Sequence, residues 1–143
     1  MAKKLFISLP VRNVAASIAF YEAIGCTRDD QFSSEAAASM QWSDTITFML
    51  ASHDLYRTLT PKTIADAGTT SGALFALSLD SRAAVDAFAE RAIAAGGREA
   101  HGAEDEGFMY SRGVEDPDGH GFGPMWMDMD AAIAAAPKAH ATN

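Results

Sequence analysis

The order of elements in this 143-residue chain is written twice. A duplicated unit constrains the whole fold before any single motif is weighed. A strand, a helix and a run of strands are expected over roughly residues 4–52, and the same order returns over roughly 72–128. The first copy opens with Leu5-Phe6-Ile7-Ser8-Leu9-Pro10-Val11, reaches Asn13 and continues as a helical stretch to Gly25. The second opens with Ala73-Leu74-Phe75-Ala76-Leu77-Ser78-Leu79, reaches Ser81 and continues to Gly96-Gly97. A shift of 68 positions lays Phe6 on Leu74, Asn13 on Ser81 and Phe20 on Phe88. Asn13 and Ser81 each offer a side-chain oxygen to the free amides that open a helix. Behind them, Val14, Ile18, Tyr21 and Ile24 in one copy, and Val85, Phe88, Ala92 and Ala95 in the other, recur at helical spacing. The expectation is an α+β chain of two βαβββ modules, residues 4–52 and 72–128. They form a single domain over 1–143, with 53–71 as a connection and 129–143 as a tail.

Within the modules, residues 36–43 and 45–51 read as a hairpin turning at Ser43-Asp44. Ile46, Phe48 and Leu50 fall on one face of its second strand, Thr47 and Met49 on the other. The connection holds Pro61, Gly68 and Gly72. It is too long for a structureless loop in a compact fold, so it is expected to be partly helical, functional or engaged with a partner. In the second module Arg98–His101 begins a strand, and Glu104-Asp105-Glu106-Gly107 reads as a solvated turn. Phe108–Val114 is a strand and Asp116-Pro117-Asp118-Gly119 a tight turn, with proline pre-setting φ and aspartate capping amides. The last strand spans about 121–128, where Pro124 lacks the ladder N–H and should cause a bulge or a local break. Residues 129–136 read as a short alanine-rich helix and 137–143, with His140, as a frayed end.

A formal net charge of −8, with Lys3-Lys4 the only basic pair, argues against a phosphate-neutralising face, so no nucleic-acid partner is expected. The single Cys26 excludes an internal disulfide and a multi-cysteine zinc site. It reads as a small packed thiol after Gly25. Residues 1–30 show no charged-then-apolar leader, and no apolar run approaches the ~20 residues needed to cross a bilayer. No membrane partner is expected, and the cytoplasm is the expected address.

The two βαβββ units, together with Asp116-Pro117-Asp118-Gly119-His120 before the closing strand, resemble the vicinal oxygen chelate superfamily. That group includes glyoxalase I, bleomycin-resistance proteins and extradiol dioxygenases. Leu9-Pro10-Val11-Arg12-Asn13-Val14 with Phe20-Tyr21-Glu22, and Met125-Trp126-Met127-Asp128, carry the same resemblance. Asp44-Thr45-Ile46 and Thr60-Pro61-Lys62 look like a bacterial glyoxalase-like branch without an assigned reaction. The resemblance implies a sheet curled into a cup and a homodimer, because the cups of small relatives are often completed by a partner chain. It also implies metal ligands (His, Gln or Glu) on the opening and closing strands of each module, where a divalent ion would keep open positions for a chelating substrate. Carried over, those positions read Phe6, about Phe48, Leu74 and Gly123, and none is a donor for such an ion. The expectation is therefore no metal and no cofactor.

Among the remaining polar groups, His120 stands at the mouth of the closing strand, as a candidate acid–base catalyst or as packing for the adjacent turn. Tyr110 and Arg112 share a strand face with Phe108. Looking into the cup, that trio would hold a planar or anionic ligand; otherwise Phe108 is core and Arg112 pairs with surface acids. Trp126 and the abundant methionines suit either a core or an adaptable pocket. His53 and His101 read as surface histidines, and Asp128 as a cap. The leading expectation is a small-molecule binder with Phe6, Phe48, Leu74, Phe108, Arg112 and Trp126 lining its cup. The competing expectations are a metal-dependent lyase or dioxygenase with relocated ligands, an acid–base enzyme using His120 and Tyr110, and a structural member with a collapsed cup.

Overall fold

Both helix starts are set by the caps read from the sequence. Asn13 Oδ1 accepts from the Ala16 N–H at 3.0 Å, opening α1 (Val14–Ala23). Ser81 Oγ accepts from the Ala84 N–H at 3.0 Å, opening α3 (Arg82–Ala94). Gly25 then takes φ +115°, a left-handed stop that other residues adopt at a cost. The computed structural model describes residues 2–135; the expected frayed end and His140 lie outside that range.

The first module is β1 (Leu5–Val11), α1, β2 (Thr27–Asp29), β3 (Ala37–Gln41) and β4 (Ile46–Ser52). Its strands order as β1-β4-β3-β2, with β1 parallel to β4 and the rest antiparallel. A helix, α2 (His53–Leu59), begins the connection, capped by Ser52 Oγ on the Leu55 N–H. The second module is β5 (Leu74–Ser78), α3, β6 (Arg98–Asp105), β7 (Met109–Glu115) and β8 (Gly121–Met127), ordered β5-β8-β7-β6. A last helix, α4 (Met129–Ala135), opens with Asp128 Oδ1 accepting from the Ala131 N–H. The result is α+β: two four-stranded mixed sheets with helices, in the twofold βαβββ order. The repeat is exact only up to the helices. Phe6 pairs with Thr47 and Leu74 with Gly121, so the closing strands are shifted by 74 positions where the opening strands are shifted by 68.

One local expectation is corrected. Glu104 and Asp105 continue β6 instead of forming a turn, because they pair with Ser111 and Tyr110. The reversal comes at Gly107, whose N–H bonds Asp105 Oδ1. Pro124 gives the local break of the two expected outcomes and not the bulge: β7 and β8 pair from Met109↔Met127 to Ser111↔Met125 and resume at Val114↔Phe122 in unchanged register. The missing N–H interrupts the ladder without shifting it. The register shifts fall in β6, around His101, on an exposed edge strand.

Alternation decides what each strand shows to the helices. Leu9 and Val11 of β1, Phe48 and Leu50 of β4, Leu77 of β5 and Phe122 of β8 are buried with α1 and α3 in one core shared by both modules. Its centre is aromatic: Phe48 lies 5.7 Å from Phe75 and 5.5 Å from Phe122, and Tyr21 touches both Phe48 and Phe122. Trp42 packs edge-on against Phe88 of α3 at 5.9 Å, so the hairpin tryptophan is packing. The other face of each sheet carries Phe6, Ser8, Thr47 and Met49 in one module, and Leu74, Ala76, Gly121 and Gly123 in the other.

Candidate functional site

The opening and closing strands decide whether the inherited metal positions could work. Register makes Met49, opposite Ser8, the counterpart of Gly123, opposite Ala76. Phe48 points the other way and is fully buried in the core, which corrects its expected place in the ligand wall. The face opposite the shared core thus offers Phe6, Met49, Leu74 and Gly123, a set with one weak thioether acceptor and no imidazole or carboxylate. The neighbouring hydroxyls of Ser8 and Thr47 do not repair it, so these residues do not fit a divalent ion. Among the described residues, no three His, Cys, Asp or Glu side chains gather closely enough to hold a metal elsewhere.

Of the trio, Tyr110 and Arg112 lie on β7 and face α3. Tyr110 OH donates to Asp86 Oδ1 at 2.7 Å, and Arg112 bonds Asp86, Glu90 and Glu99. Phe108 precedes β7, half-buried, and its carbonyl accepts the Asp128 N–H. Trp126 lies on the same side, under the Arg82 guanidinium at 4.6 Å from its ring centre. The structure therefore ties Tyr110, Arg112 and Trp126 to α3, away from the face that carries Phe6, Met49, Leu74 and Gly123. The bond to Asp86 also raises the Tyr110 phenol above its ordinary value, the wrong direction for a proton donor near neutrality. Tyr110 pairs with Trp126, six residues along β8 from His120, a separation of about 20 Å at 3.3 Å per residue.

His120 belongs to a clasp between the modules. Its Nε2 lies 2.8 Å from the Pro10 carbonyl oxygen, so Nε2 carries the proton and donates. Asp118 Oδ1 accepts the Arg12 N–H at 2.9 Å. Asp116, buried, accepts the Asp118 and His120 N–H groups at Oδ1 and the Tyr21 hydroxyl at Oδ2. Burial raises the Asp116 carboxyl above the usual carboxylate range, against the lowering effect of His120 and of these hydrogen bonds. It pushes the Tyr21 phenol well up too, with the Asp116 charge adding to it. The Asp116–His120 turn thus fastens the second module to the end of β1 and to α1.

Next to this clasp lies an open space of about 690 Å³. Its walls are the free edge strands β1 (Ile7 to Pro10) and β5 (Leu74, Phe75), with Gly121 and His120, and the 60–73 stretch of the connection closes it. Gly119 lets the connection come close, for a Cβ there would stand 2.5 Å from the Ala67 carbonyl oxygen. A second space of about 490 Å³ shares Pro10, His120 and the Lys62–Ala65 wall, and extends past Arg12 to His53 and Arg57. Of the residues named from sequence, Leu74 and His120 come together here. Phe6, 60% exposed, stands on β1 outside this lining, and Phe48, Phe108, Tyr110, Arg112 and Trp126 lie elsewhere. Sequence reasoning missed Arg12, Arg57 and Lys62. The one available signal was the length of the connection.

A family model described as the Glyoxalase/Bleomycin resistance protein/Dioxygenase superfamily matches residues 5–123. Similar solved structures include a hypothetical protein from S. aureus at TM-score 0.75 and 18% identity, covering 88% of this chain and 94% of that one. A glyoxalase/bleomycin resistance protein/dioxygenase family enzyme from Burkholderia phytofirmans PsJN aligns at TM-score 0.75 and 19% identity, covering 89% and 100%. A glyoxalase-related enzyme from Fulvimarina pelagi aligns at 0.74 and 20% identity, covering 88% of each. At such identities the likeness speaks for the fold. No curated protein matches the sequence significantly.

Proposed function

Because the chain belongs to the Glyoxalase/Bleomycin resistance protein/Dioxygenase superfamily, we propose that it uses the fold as a binder of a small apolar or aromatic molecule, without a metal at the inherited positions. The observation that carries this reading is the space of about 690 Å³ between β1 and β5, closed by the connection and lined by Ile7, Leu9, Pro10, Ile64, Leu74 and Phe75. Its size lies within the range of small-molecule sites, and polar groups (Ser8, Tyr56, His120, Lys62, Glu115 and the hydroxyls of the connection) stand among the apolar walls. Burying an aromatic ring there is worth a few kcal/mol at roughly 25 cal/mol per Å². That suffices for micromolar capture when the polar groups keep their partners.

The test is a thermal-shift screen of planar aromatic compounds against the wild type and Ser8→Trp, which fills the space from β1. A ligand raises stability by RT ln(1 + [L]/Kd), so a hit at a hundred times its Kd adds about 2.7 kcal/mol. The reading expects hits in the wild type and none in the variant. Equal shifts in both would place binding elsewhere. A homodimer belongs to the same proposal: Phe6 is 60% and Leu74 79% exposed, each at the start of an edge strand, and a second copy would cover them. The cytoplasm is the proposed setting, for the lone buried Cys26 needs no oxidising compartment. An acid–base enzyme built on His120 and Tyr110 finds no support in their separation.

A further inference from the structure

The two spaces beside β1 differ in character, and the difference says what the ligand carries. The larger runs along β1 from Ile7 to Pro10 between mainly apolar walls. The smaller continues from Pro10 past Arg12 and is ringed by Arg12, Arg57, Lys62, His53 and His120. Two carboxylates, Asp66 and Asp118, face the same space. Both are held by Arg12, at 3.3 Å and 3.6 Å, so that guanidinium is spent on them. The Gly68 N–H and then Arg12 hold the Asp66 carboxyl below the usual range, so it stays charged. Arg57 pairs with the exposed Asp54 one helical turn back. Among the described residues, Lys62 makes no ion pair. Arg12 and Arg57 are thus both committed to carboxylates, and Lys62 is the cation of this lining that has no carboxylate partner among the described residues, in a chain whose net charge is −8.

We infer that the site takes a small apolar carboxylate, its body along Ile7–Pro10 and its anionic head between Lys62 and Arg57. The inference rests on the cavity reading above and adds the head group. The one uncommitted cation, Lys62, matches a monoanion better than a phosphate dianion, which would leave one charge unpaired beside Asp66 and Asp118. From Ile7 to Arg12 the strand advances about 16 Å, room for a two-ring body with a head group. The lysine suits a head held by charge from one side, and the arginine a flat carboxylate.

The experiment compares 2-naphthoate, its neutral isostere 2-naphthamide and 2-naphthyl phosphate by calorimetric titration of the wild type, Lys62→Ala and Arg57→Ala. Both side chains are exposed, so the variants should keep the wild-type melting temperature. The expected result is naphthoate tightest, naphthamide about tenfold weaker, and the advantage of the acid lost in either variant. Equal binding of acid and amide by the wild type would overturn the anionic head while leaving the cavity reading intact. Tighter binding of the phosphate would overturn the choice of a monoanion. An acid preference that survives both substitutions would remove Lys62 and Arg57 from the site. No binding of any of the three would sink the cavity reading and this inference with it.

Discussion

Cys26 and Gly123 show how far one position decides chemistry in this protein. Cys26 is 6% exposed, and burial pushes its thiol up to about 12 from an ordinary 9.0. A thiol held protonated in the folded state favours folding fully below pH 9. That contribution is lost as pH rises through the folded value, because the unfolded chain ionises first. At 1.36 kcal/mol per unit, the loss between pH 9 and 12 is about 4 kcal/mol. Denaturant midpoints measured across that window should fall steeply in the wild type and more gently in Cys26→Ala. The native thiol should also resist a disulfide reagent at pH 8 until the protein is unfolded. Gly123 is the opposite case, a missing side chain. A Cβ there would meet nothing nearer than the Arg112 carbonyl oxygen at 3.9 Å, so Gly123→Glu should fold with a stability change within about 1 kcal/mol. One carboxylate among Phe6, Met49 and Leu74 should not create a tight metal site. Calorimetry with manganese or zinc is expected to show no binding tighter than roughly millimolar, as the missing nitrogen and oxygen ligands require. A micromolar site in the variant would mean that other donors stand nearby.

At the scale of elements, the Asp116–His120 turn does work that its sequence only half declares. Its fixed dihedrals and capping were readable from Asp-Pro-Asp-Gly, but its partners Pro10, Arg12 and Tyr21 lie more than ninety residues away. Tyr21→Phe removes a buried donor from Asp116 and should cost about 1–3 kcal/mol, read from urea midpoints. Both members of that pair have raised folded values. The Asp116 contribution is present at low pH and lost as pH climbs past the raised carboxyl, and the Tyr21 contribution is lost only above pH 10. Strands, helices and caps were legible because Asn13, Ser81 and the alternation 46–50 are local signals. Which face of β7 met α3 was not, because Phe108, Tyr110 and Arg112 alternate alike whichever side is buried. The three carboxylates around Arg112 settle it, and two of them come from a helix some twenty residues upstream. Trp126→Ala should accordingly leave ligand affinity unchanged, and the loss of its contact with Arg82 should lower stability by about 1–2 kcal/mol. A clear loss of ligand affinity in a folded variant would return Trp126 to the site.

For the molecule as a whole, two modules share one aromatic core, so their edges rather than their cups meet beside the connection. The duplication announced two modules but not how they turn toward each other. That depends on Phe48, Phe75 and Phe122 packing together across the repeat. Phe48→Ala should therefore cost about 3–5 kcal/mol and loosen both modules in one cooperative transition, followed by far- and near-ultraviolet dichroism. Light scattering after size exclusion should report a dimer if a second copy covers Phe6 and Leu74, with Phe6→Asp shifting it toward monomer. The claim on which the rest turns is that binding relies on the space beside β1 and not on an ion. Its most direct measurement is a titration of 2-naphthoate into protein dialysed against a strong chelator, repeated after adding zinc, manganese or iron(II). The account expects one affinity under all conditions. Binding that appears only when an ion is restored would contradict it.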